Sequence, residues 1–326
     1  MRPRLITAAL FRYALVIGGL LAPGMDVRAA EAAMPPLMPQ QVAPDVYLFQ
    51  GKAGVASQEN RGFNSNAGFV VTSDGVVVID ALGTPALGQA MVEAIHKITN
   101  KPIRRVIITH YHADHFYGLQ AFKQAGADVW AHRAAREYLE SGEGAARLAQ
   151  RRQDLAPWVD ANTRLVPPDV WLQGNRSFDL GGVRFDIVHL GPAHSPDDVI
   201  IIVGTTGVVF SGDILFTGRI PFVGEADSKR WLETFSTLLA QKPRIMITGH
   251  GEPSRNPEKD LTLTRDYLTY LRQTMGKAVE DFVSFEEAYA RTDWSQFAKL
   301  PAFDAANRIN AYGTYLLMEK ESLSKK

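Results

Sequence analysis

The first part of the chain alternates short apolar runs with polar turns, a pattern typical of β-strands. Two β-branched runs at 67–71 and 76–80 flank Ser73-Asp74-Gly75, and this combination predicts a β-hairpin. From 85 to 99, apolar residues recur at helical spacing behind a proline, which predicts a helix. The chain therefore begins with strands and then forms its first helix.

Strands and helices follow one another through the rest of the chain. The pattern predicts strands at 46–49, 105–108, 127–131, 199–203, 208–210 and 244–248. It predicts helices at 116–125, 133–152 and 231–239, and a helical tail from 257 to 326. This mixture is typical of an α/β fold, but the order of elements alone does not separate a two-sheet sandwich from a doubly wound sheet.

The N-terminal stretch has the pattern of a secretory signal peptide. Three arginines precede an apolar run at 14–22, and small residues follow, which predicts a signal peptide over 1–29. The apolar run is too short to span a bilayer comfortably, so we expect cleavage, after Ala29 or after Ala32. The expected product is an exported, periplasmic protein with no stable membrane insertion.

Composition narrows the classes of partner. The 326 residues include 35 basic and 35 acidic side chains, with no run of basic residues, so nothing predicts binding to nucleic acid. The chain has no cysteine, which excludes disulfides and thiolate metal ligands. We expect a small-molecule substrate, and a homo-oligomer stays open.

One short stretch carries the strongest chemical signal. Four metal-competent side chains lie within six residues: His110, His112, Asp114 and His115. Imidazole and carboxylate are ligands that zinc-like divalent ions prefer. A continuous strand could not bring all four to one point, so we expect the chain to bend here between a strand and a helix. Surface histidines and an N-capping aspartate are the ordinary alternative, but this spacing rarely arises by chance.

Three more candidate ligands follow apolar runs later in the chain. His194 and Asp213 occupy predicted loop positions, and His250 follows the end of the predicted strand at 244–248 and precedes a loop. Loops at the carboxyl ends of neighbouring strands share one crevice, so we expect these residues to meet the first four.

The order and spacing of these seven residues resemble the full ligand set of the metallo-β-lactamase superfamily, over about 45–254. The resemblance implies an αββα sandwich at 45–256, after a Pro-rich lead at 30–44, with a helical extension at 257–326 packed on it. It also implies two Zn²⁺ per chain, bound as follows: the first by His110, His112 and His194, the second by Asp114, His115 and His250, with Asp213 as the bridge.

The chemistry implied by this ligand set is hydrolysis by a metal-bridging hydroxide. A carboxylate bridge offsets the repulsion between two zinc ions, and zinc lowers the pKa of bound water to about 7. The hydroxide would attack an ester, thioester, lactone, phosphoester or amide bond. Asp114, as the catalytic residue, would both bind metal and orient the hydroxide. The sequence thus predicts an exported dinuclear zinc hydrolase.

Departures from the commonest zinc β-lactamases refine this reading. Those enzymes have another residue where His115 stands and a cysteine where Asp213 stands, so the chain looks more like glyoxalase II. Phe116-Tyr117-Gly118 is bulkier than is usual after the motif. Together with the export signal and the helical tail, these features are similar to an exported branch associated with sulfur-oxidation or quinoprotein systems.

Three alternative functions stay open. A β-lactamase needs the same hydroxide and a differently shaped groove. An iron-dependent persulfide dioxygenase would use only His110, His194 and Asp213, with Fe in place of zinc. A non-catalytic periplasmic metal-binding or partner-docking module would use the helical tail as its surface, although a structural zinc site needs only four ligands.

Other residues are candidates for the surroundings of the site. Phe63, Tyr117 and Phe222 could form an apolar lip over the metals, with core packing as the alternative for Tyr117. Arg219 could meet a substrate anion. Asp80 ends a strand at the same edge, where it would either orient a ligand histidine or cap the strand.

Overall fold

The computed structural model describes residues 34–204 and 206–324, so the predicted signal peptide lies outside the described residues. The first sheet contains, in spatial order, β1 (Gln40–Ala43), β2 (Val46–Phe49), β3 (Ala67–Thr72), β4 (Gly75–Ile79), β5 (Ile103–Ile107), β6 (Asp128–His132) and β7 (Val170–Leu172). The second sheet has the spatial order β12, β11, β10, β9, β8, with bounds β8 (Arg176–Leu180), β9 (Val183–His189), β10 (Val199–Val203), β11 (Val208–Phe216) and β12 (Ile245–His250).

Helices connect and cover these strands. In chain order they are α1 (Pro85–Ile98), α2 (Ala113–Phe116), α3 (Leu119–Gln124), α4 (Ala135–Glu140), α5 (Glu143–Asp154), α6 (Ser228–Ala240), α7 (Pro257–Glu280), α8 (Phe285–Arg291) and α9 (Phe303–Leu323). The predicted helix at 85–99 is confirmed, with Thr84 as its N-cap. None of the helices in the described part of the chain combines the length and apolar character needed to cross a membrane.

Strand direction changes within each sheet. The predicted hairpin is confirmed as antiparallel β3 and β4, with Val70 opposite Val77. From β4 to β7 the neighbours are parallel, because each connection crosses over through helices. In the second sheet β8 to β11 are antiparallel and β11 pairs with β12 in parallel. Strands β5 and β12 each lead into a loop at their carboxyl end.

The core has three apolar layers, which makes the fold a four-layer sandwich. Between the sheets, Leu48, Val77, Phe185 and Phe210 are at most 2% exposed. Outside the first sheet, the apolar side of α1 packs against strand side chains such as Phe69. Outside the second sheet, α6 and α7 cover β11. The αββα prediction is confirmed, and the doubly wound alternative is excluded.

Two predicted helices are each broken in two. The segment 116–125 is interrupted at Gly118, where a Cβ would overlap the Ala81 carbonyl oxygen and lie against Gly88. The segment 133–152 is interrupted at Gly142, whose φ of 89° ends α4 before α5 begins. In both places the predicted single helix is wrong. At Gly118 the backbone packs against Ala81 and Gly88 more closely than a Cβ would allow, and at Gly142 the positive φ ends the helix.

The C-terminal helices pack on the second sheet. The Thr264 hydroxyl on α7 donates to the Phe216 carbonyl at the end of β11 (3.1 Å). The Asn310 side chain on α9 accepts from the Val223 amide (2.7 Å) and donates to the Pro221 carbonyl (2.8 Å). The tail therefore holds the segment before α6 in place. The domain boundaries at 45–256 and 257–326 stay predictions.

Candidate metal centre

The His-rich motif lies on a turn between β5 and α2, as its spacing predicts. His112 is the N-cap residue of α2, and Asp114 lies in its first turn, where exposed amide groups favour a carboxylate. The Tyr111 amide donates to the buried Asp197 carboxylate (2.9 Å), which fixes the turn from the other sheet. The bend brings His110 and His115 onto the same side, with ring centroids 4.4 Å apart.

Asp213 is not in a loop, so that prediction is wrong. It lies inside β11, just after Gly212, whose φ of 50° accompanies a shift in the pairing of β11 with β12. A bulge of this kind redirects the next side chain. Asp213 points towards the histidines of the motif, and a Cβ at Gly249 would overlap its Oδ1.

The two remaining histidines come from the second sheet. His250 is the last residue of β12, and His194 lies in the loop between β9 and β10. That loop is fixed by the buried Asp198 carboxylate, which accepts from the amide and the hydroxyl of Ser195. Both histidines are at most 4% exposed.

The seven side chains converge into overlapping groups. Ligand atoms lie within 4.8 Å of one another in each of three sets: His110, His112 and His194; Asp114, His115 and His250; and His110, His115 and Asp213. Asp213 Oδ2 lies 3.3 Å from His194 Nε2 and 3.4 Å from His250 Nε2. Its Oδ1 lies 3.2 Å from His115 Nε2. The Asp213 carboxylate therefore sits between the two triads that the sequence analysis proposed.

Asp80 orients two of the histidines. Its Oδ2 accepts from His115 Nδ1 (2.9 Å) and from the Thr109 hydroxyl (2.8 Å), and its Oδ1 accepts from the Thr109 amide (2.8 Å). The Thr109 hydroxyl in turn accepts from His110 Nδ1 (3.1 Å). Since both Nδ1 atoms donate, each Nε2 atom is the one that would offer its lone pair to a metal ion in the cluster.

Asn64 orients the ligands on the other side. Its carbonyl accepts from His250 Nδ1 (2.7 Å), and its side-chain amide donates to Asp114 Oδ2 (2.9 Å). The neighbouring Ser65 hydroxyl donates to the Asp114 carbonyl. Asn64 is not among the residues predicted from the sequence, although the polar run Asn64-Ser65-Asn66 directly before β3 is a usable signal.

Burial sets the protonation of the cluster. It lowers the pKa of His112 to about 4 and that of His194 to about 3. Burial also acts to lower the pKa of His115, but the carboxylates of Asp213, Asp114 and Asp80 outweigh it and raise that pKa well above the usual value. His112 and His194 are thus neutral at pH 7, the form that binds metal.

The unpaired atoms of the cluster fit a bound metal. Buried polar groups are nearly always hydrogen-bonded. Yet His110 Nε2, His115 Nε2 and Asp213 Oδ1 are buried without a hydrogen-bond partner in the described part of the chain. All three face one another, and imidazole and carboxylate are the donors that zinc prefers. A divalent ion would satisfy these atoms together.

A cavity of about 690 Å³ opens onto the cluster. Arg219 and Phe222, predicted to contact substrate, line it, whereas Phe63 and Tyr117 are not among its lining residues. Tyr117 is 1% exposed and packs edge-on against Phe116, so the core-packing alternative holds for it. Phe63 is half-buried against the same core. Arg219 donates to the Gly54 carbonyl and is 4% exposed.

Comparison with known proteins agrees with this geometry. A family profile described as the Metallo-beta-lactamase superfamily matches residues 60–250. The chain is 26% identical over 214 residues to Metallo-beta-lactamase type 2 of Elizabethkingia meningoseptica, covering 65% of this chain and 78% of that one. It is 32% identical over 158 residues to Hydroxyacylglutathione hydrolase GloC of Haemophilus influenzae, covering 46% and 69%.

A solved structure extends the likeness in fold. The stereoselective inverting sec-alkylsulfatase Pisa1 from Pseudomonas sp. is similar with a TM-score of 0.66 at 19% identity. The similarity covers 86% of this chain, which is more than residues 60–250. It covers 50% of the alkylsulfatase, so this chain spans about half the length of that enzyme.

Proposed function

Since the chain belongs to the metallo-beta-lactamase superfamily, we propose that it is a hydrolase that holds two zinc ions in the cluster around Asp213. His110, His112 and His194 would hold one ion, and Asp114, His115 and His250 the other. The observation that supports this most directly is the position of Asp213 Oδ2, within 3.4 Å of an Nε2 atom of each triad.

The bound metals would supply Lewis acidity and lower the pKa of water at the site to about 7. The chain's own residues supply the rest. Asp114 lines the cavity, and its Oδ2 lies 3.4 Å from His250 Nε2. Because the Asn64 side-chain amide donates to that oxygen, the carboxylate is held in place to bind metal and to orient the attacking water by accepting a hydrogen bond from it.

The scissile bond is an ester, thioester, lactone, phosphoester, sulfate ester or amide of a small molecule. The relatives are named as hydrolases of different substrates, so family membership supports hydrolysis and leaves the bond type to assay. The ligand at position 213 is an aspartate and that at 115 a histidine. All seven candidate ligands are therefore histidines or aspartates, and the set contains no thiolate.

Elemental analysis tests the metal assignment. The full chain is expressed with its leader, purified without chelator, and analysed for zinc and iron per chain. About two zinc ions per chain support the proposal. About one iron per chain, with oxygen consumption on a persulfide, would replace it by the dioxygenase alternative.

A substrate panel tests the reaction. It contains a thioester, a lactone, a phosphodiester, an alkyl sulfate and nitrocefin, each assayed with wild type, Asp114→Asn and His96→Gln. His96 is an exposed histidine on α1, which makes it a matched control. We expect Asp114→Asn to lose at least a hundredfold in kcat and His96→Gln to keep it. Equal rates in both variants would refute the role of Asp114, and turnover of nitrocefin alone would identify a β-lactamase.

We also propose export to the periplasm, because the pattern of 1–29 is that of a signal peptide. N-terminal sequencing of the protein recovered from a periplasmic fraction tests it. A first residue at 30 or 33 is expected. An intact N-terminus in the cytoplasmic fraction would contradict export.

A further inference from the structure

The segment of α4 and α5 forms one wall of the cavity and carries two arginines that face it. Arg147 and Arg151 both line the cavity. They are four residues apart on α5, so their side chains lie on the same face of the helix. Other lining residues come from the segment before α6 and from α9, at Phe222 and Ala306.

Neighbouring arginines in this segment have protein partners. Arg136 lies 3.6 Å from the Glu140 carboxylate. Arg152 donates to the carbonyls of Asp160 and Thr163, both at 2.8 Å. The charges of Arg136 and Arg152 are therefore directed to other groups of the protein.

Arg147 and Arg151 differ, because neither makes an ion pair or hydrogen bond with any residue that the structure describes. Glu143 also lines the cavity and lies four residues before Arg147, the spacing at which helical ion pairs form, yet the two are not paired. Like charges at this spacing, as in Arg147 and Arg151, destabilise a helix slightly. An arrangement of this kind is expected where an anion occupies the space between the guanidinium groups.

Both arginines share the cavity with the candidate metal centre. Arg147 and Arg151 line the same cavity as His112 and Asp114. A small molecule bound in this cavity can therefore contact the guanidinium groups at one end and the candidate metal centre at the other.

We propose that Arg147 and Arg151 form a subsite for an oxyanion group of the substrate, a carboxylate in the first instance, located away from the bond that is hydrolysed. The proposal rests on the proposed function, since it assigns the other end of the substrate to the metals. It makes the two arginines specificity determinants: one end of the substrate reaches the metal centre, and the anionic end lies between the guanidinium groups.

Dicarboxylates of increasing length test the subsite without knowledge of the substrate. Binding to the zinc-loaded protein is measured by calorimetry for glutarate, adipate, pimelate and suberate, and for their monomethyl esters. One carboxylate can bind metal, and only the diacid offers a second one to the arginines. We expect at least one diacid to bind about tenfold more tightly than its monoester, with a preferred length.

Matched variants locate that advantage. The double variant Arg147→Gln/Arg151→Gln is expected to lose the tighter binding of the diacid. Each single variant is expected to lose part of it. The control Arg133→Gln/Arg136→Gln removes the same charge from residues that do not line the cavity, and should keep it. If no diacid exceeds its monoester, or if the control loses the advantage equally, the proposal is wrong.

Zinc content, measured on every variant, separates this proposal from the proposed function. Unchanged zinc with a lost diacid advantage supports the subsite. Loss of zinc in Arg147→Gln/Arg151→Gln would mean that the arginines act through the metal centre, and would overturn it. If wild type itself held no zinc, the proposed function would fail. A diacid advantage that is present in wild type and lost in the double variant would still show that the two arginines bind the second carboxylate.

Discussion

Asp80 orients His110 and His115, and Asp80→Asn tests how far that orientation sets metal affinity. The carboxylate is 3% exposed and accepts three hydrogen bonds, one on Oδ1 and two on Oδ2. Asparagine has the same shape but offers one oxygen and one NH₂ group. It can therefore accept on one side only, and the two ways of placing it have different consequences.

If the amide oxygen replaces Oδ2, the NH₂ group faces the Thr109 amide, and two buried donors oppose each other. If the amide oxygen replaces Oδ1, the NH₂ group faces His115 Nδ1, which must then accept. The proton of His115 moves to Nε2, the atom that would bind metal. An unsatisfied buried donor costs about 1–3 kcal/mol, and loss of such an orienting group lowers metal affinity about 10- to 100-fold.

Competition with a chromogenic chelator measures this loss, with elemental analysis at saturating zinc to confirm that both ions still bind. The control is Asp74→Asn, on the exposed turn between β3 and β4, which changes charge without touching a ligand. We expect Asp80→Asn to weaken at least the site that contains His115, and Asp74→Asn to be neutral. Zinc affinity within twofold of wild type in Asp80→Asn would refute the orienting role.

Three further outcomes follow from the structure. Gly249→Ala places a Cβ on Asp213 Oδ1 and should abolish zinc binding, measured by elemental analysis, whereas Gly204→Ala, where a Cβ has ordinary contacts, should not. Removing zinc with a chelator should lower Tm by about 10 °C, reversed by zinc, since a tightly bound ion stabilises only the folded state; an unchanged Tm in calorimetry would contradict a metal site. Burial, then the charges of His189 and Arg133, lower the pKa of His132 to about 4. The unfolded chain therefore takes up this proton first, and stability falls as pH drops from about 6.5 to 4. His132→Gln should remove about 2 kcal/mol of this loss in the free energy of unfolding, after allowance for solvent screening. The free energy of unfolding is measured by denaturation at each pH, and an equally steep fall with pH in the variant and in wild type would contradict the prediction.

The convergence of most candidate ligands could be predicted from the sequence because their signal is local. Four of the seven lie within six residues, and a loop after a buried strand is the place where backbone geometry lets side chains converge. His194 and His250 also follow apolar runs, His194 in the loop after β9 and His250 as the last residue of β12. The periodicity of apolar residues and the spacing of the histidines were enough to predict these positions, because both features extend over only a few residues.

Asp213 shows where local pattern fails. Its segment carries a continuous apolar run on both sides, and the structure continues β11 through it to Phe216. What turns the carboxylate towards the histidines is the positive φ of Gly212 and a pairing shift against β12, which is fixed by a strand more than thirty residues away. Asn64 was not predicted as a site residue for a similar reason, because its partners His250 and Asp114 are distant in sequence.

The same contrast separates the chemistry of the protein from its selectivity. Apart from Asp213, the candidate metal ligands come from strand ends, turns and loops, so they are recognisable from residue type and spacing. The cavity walls come from α4, α5 and α9, where an arginine that faces substrate looks in the sequence like one on any solvated helix face. Arg147 and Arg152 are five residues apart on one helix, yet of the two only Arg152 makes hydrogen bonds within the described part of the chain. Only the three-dimensional arrangement separates them, which is why substrate class has to be inferred from the walls of the cavity.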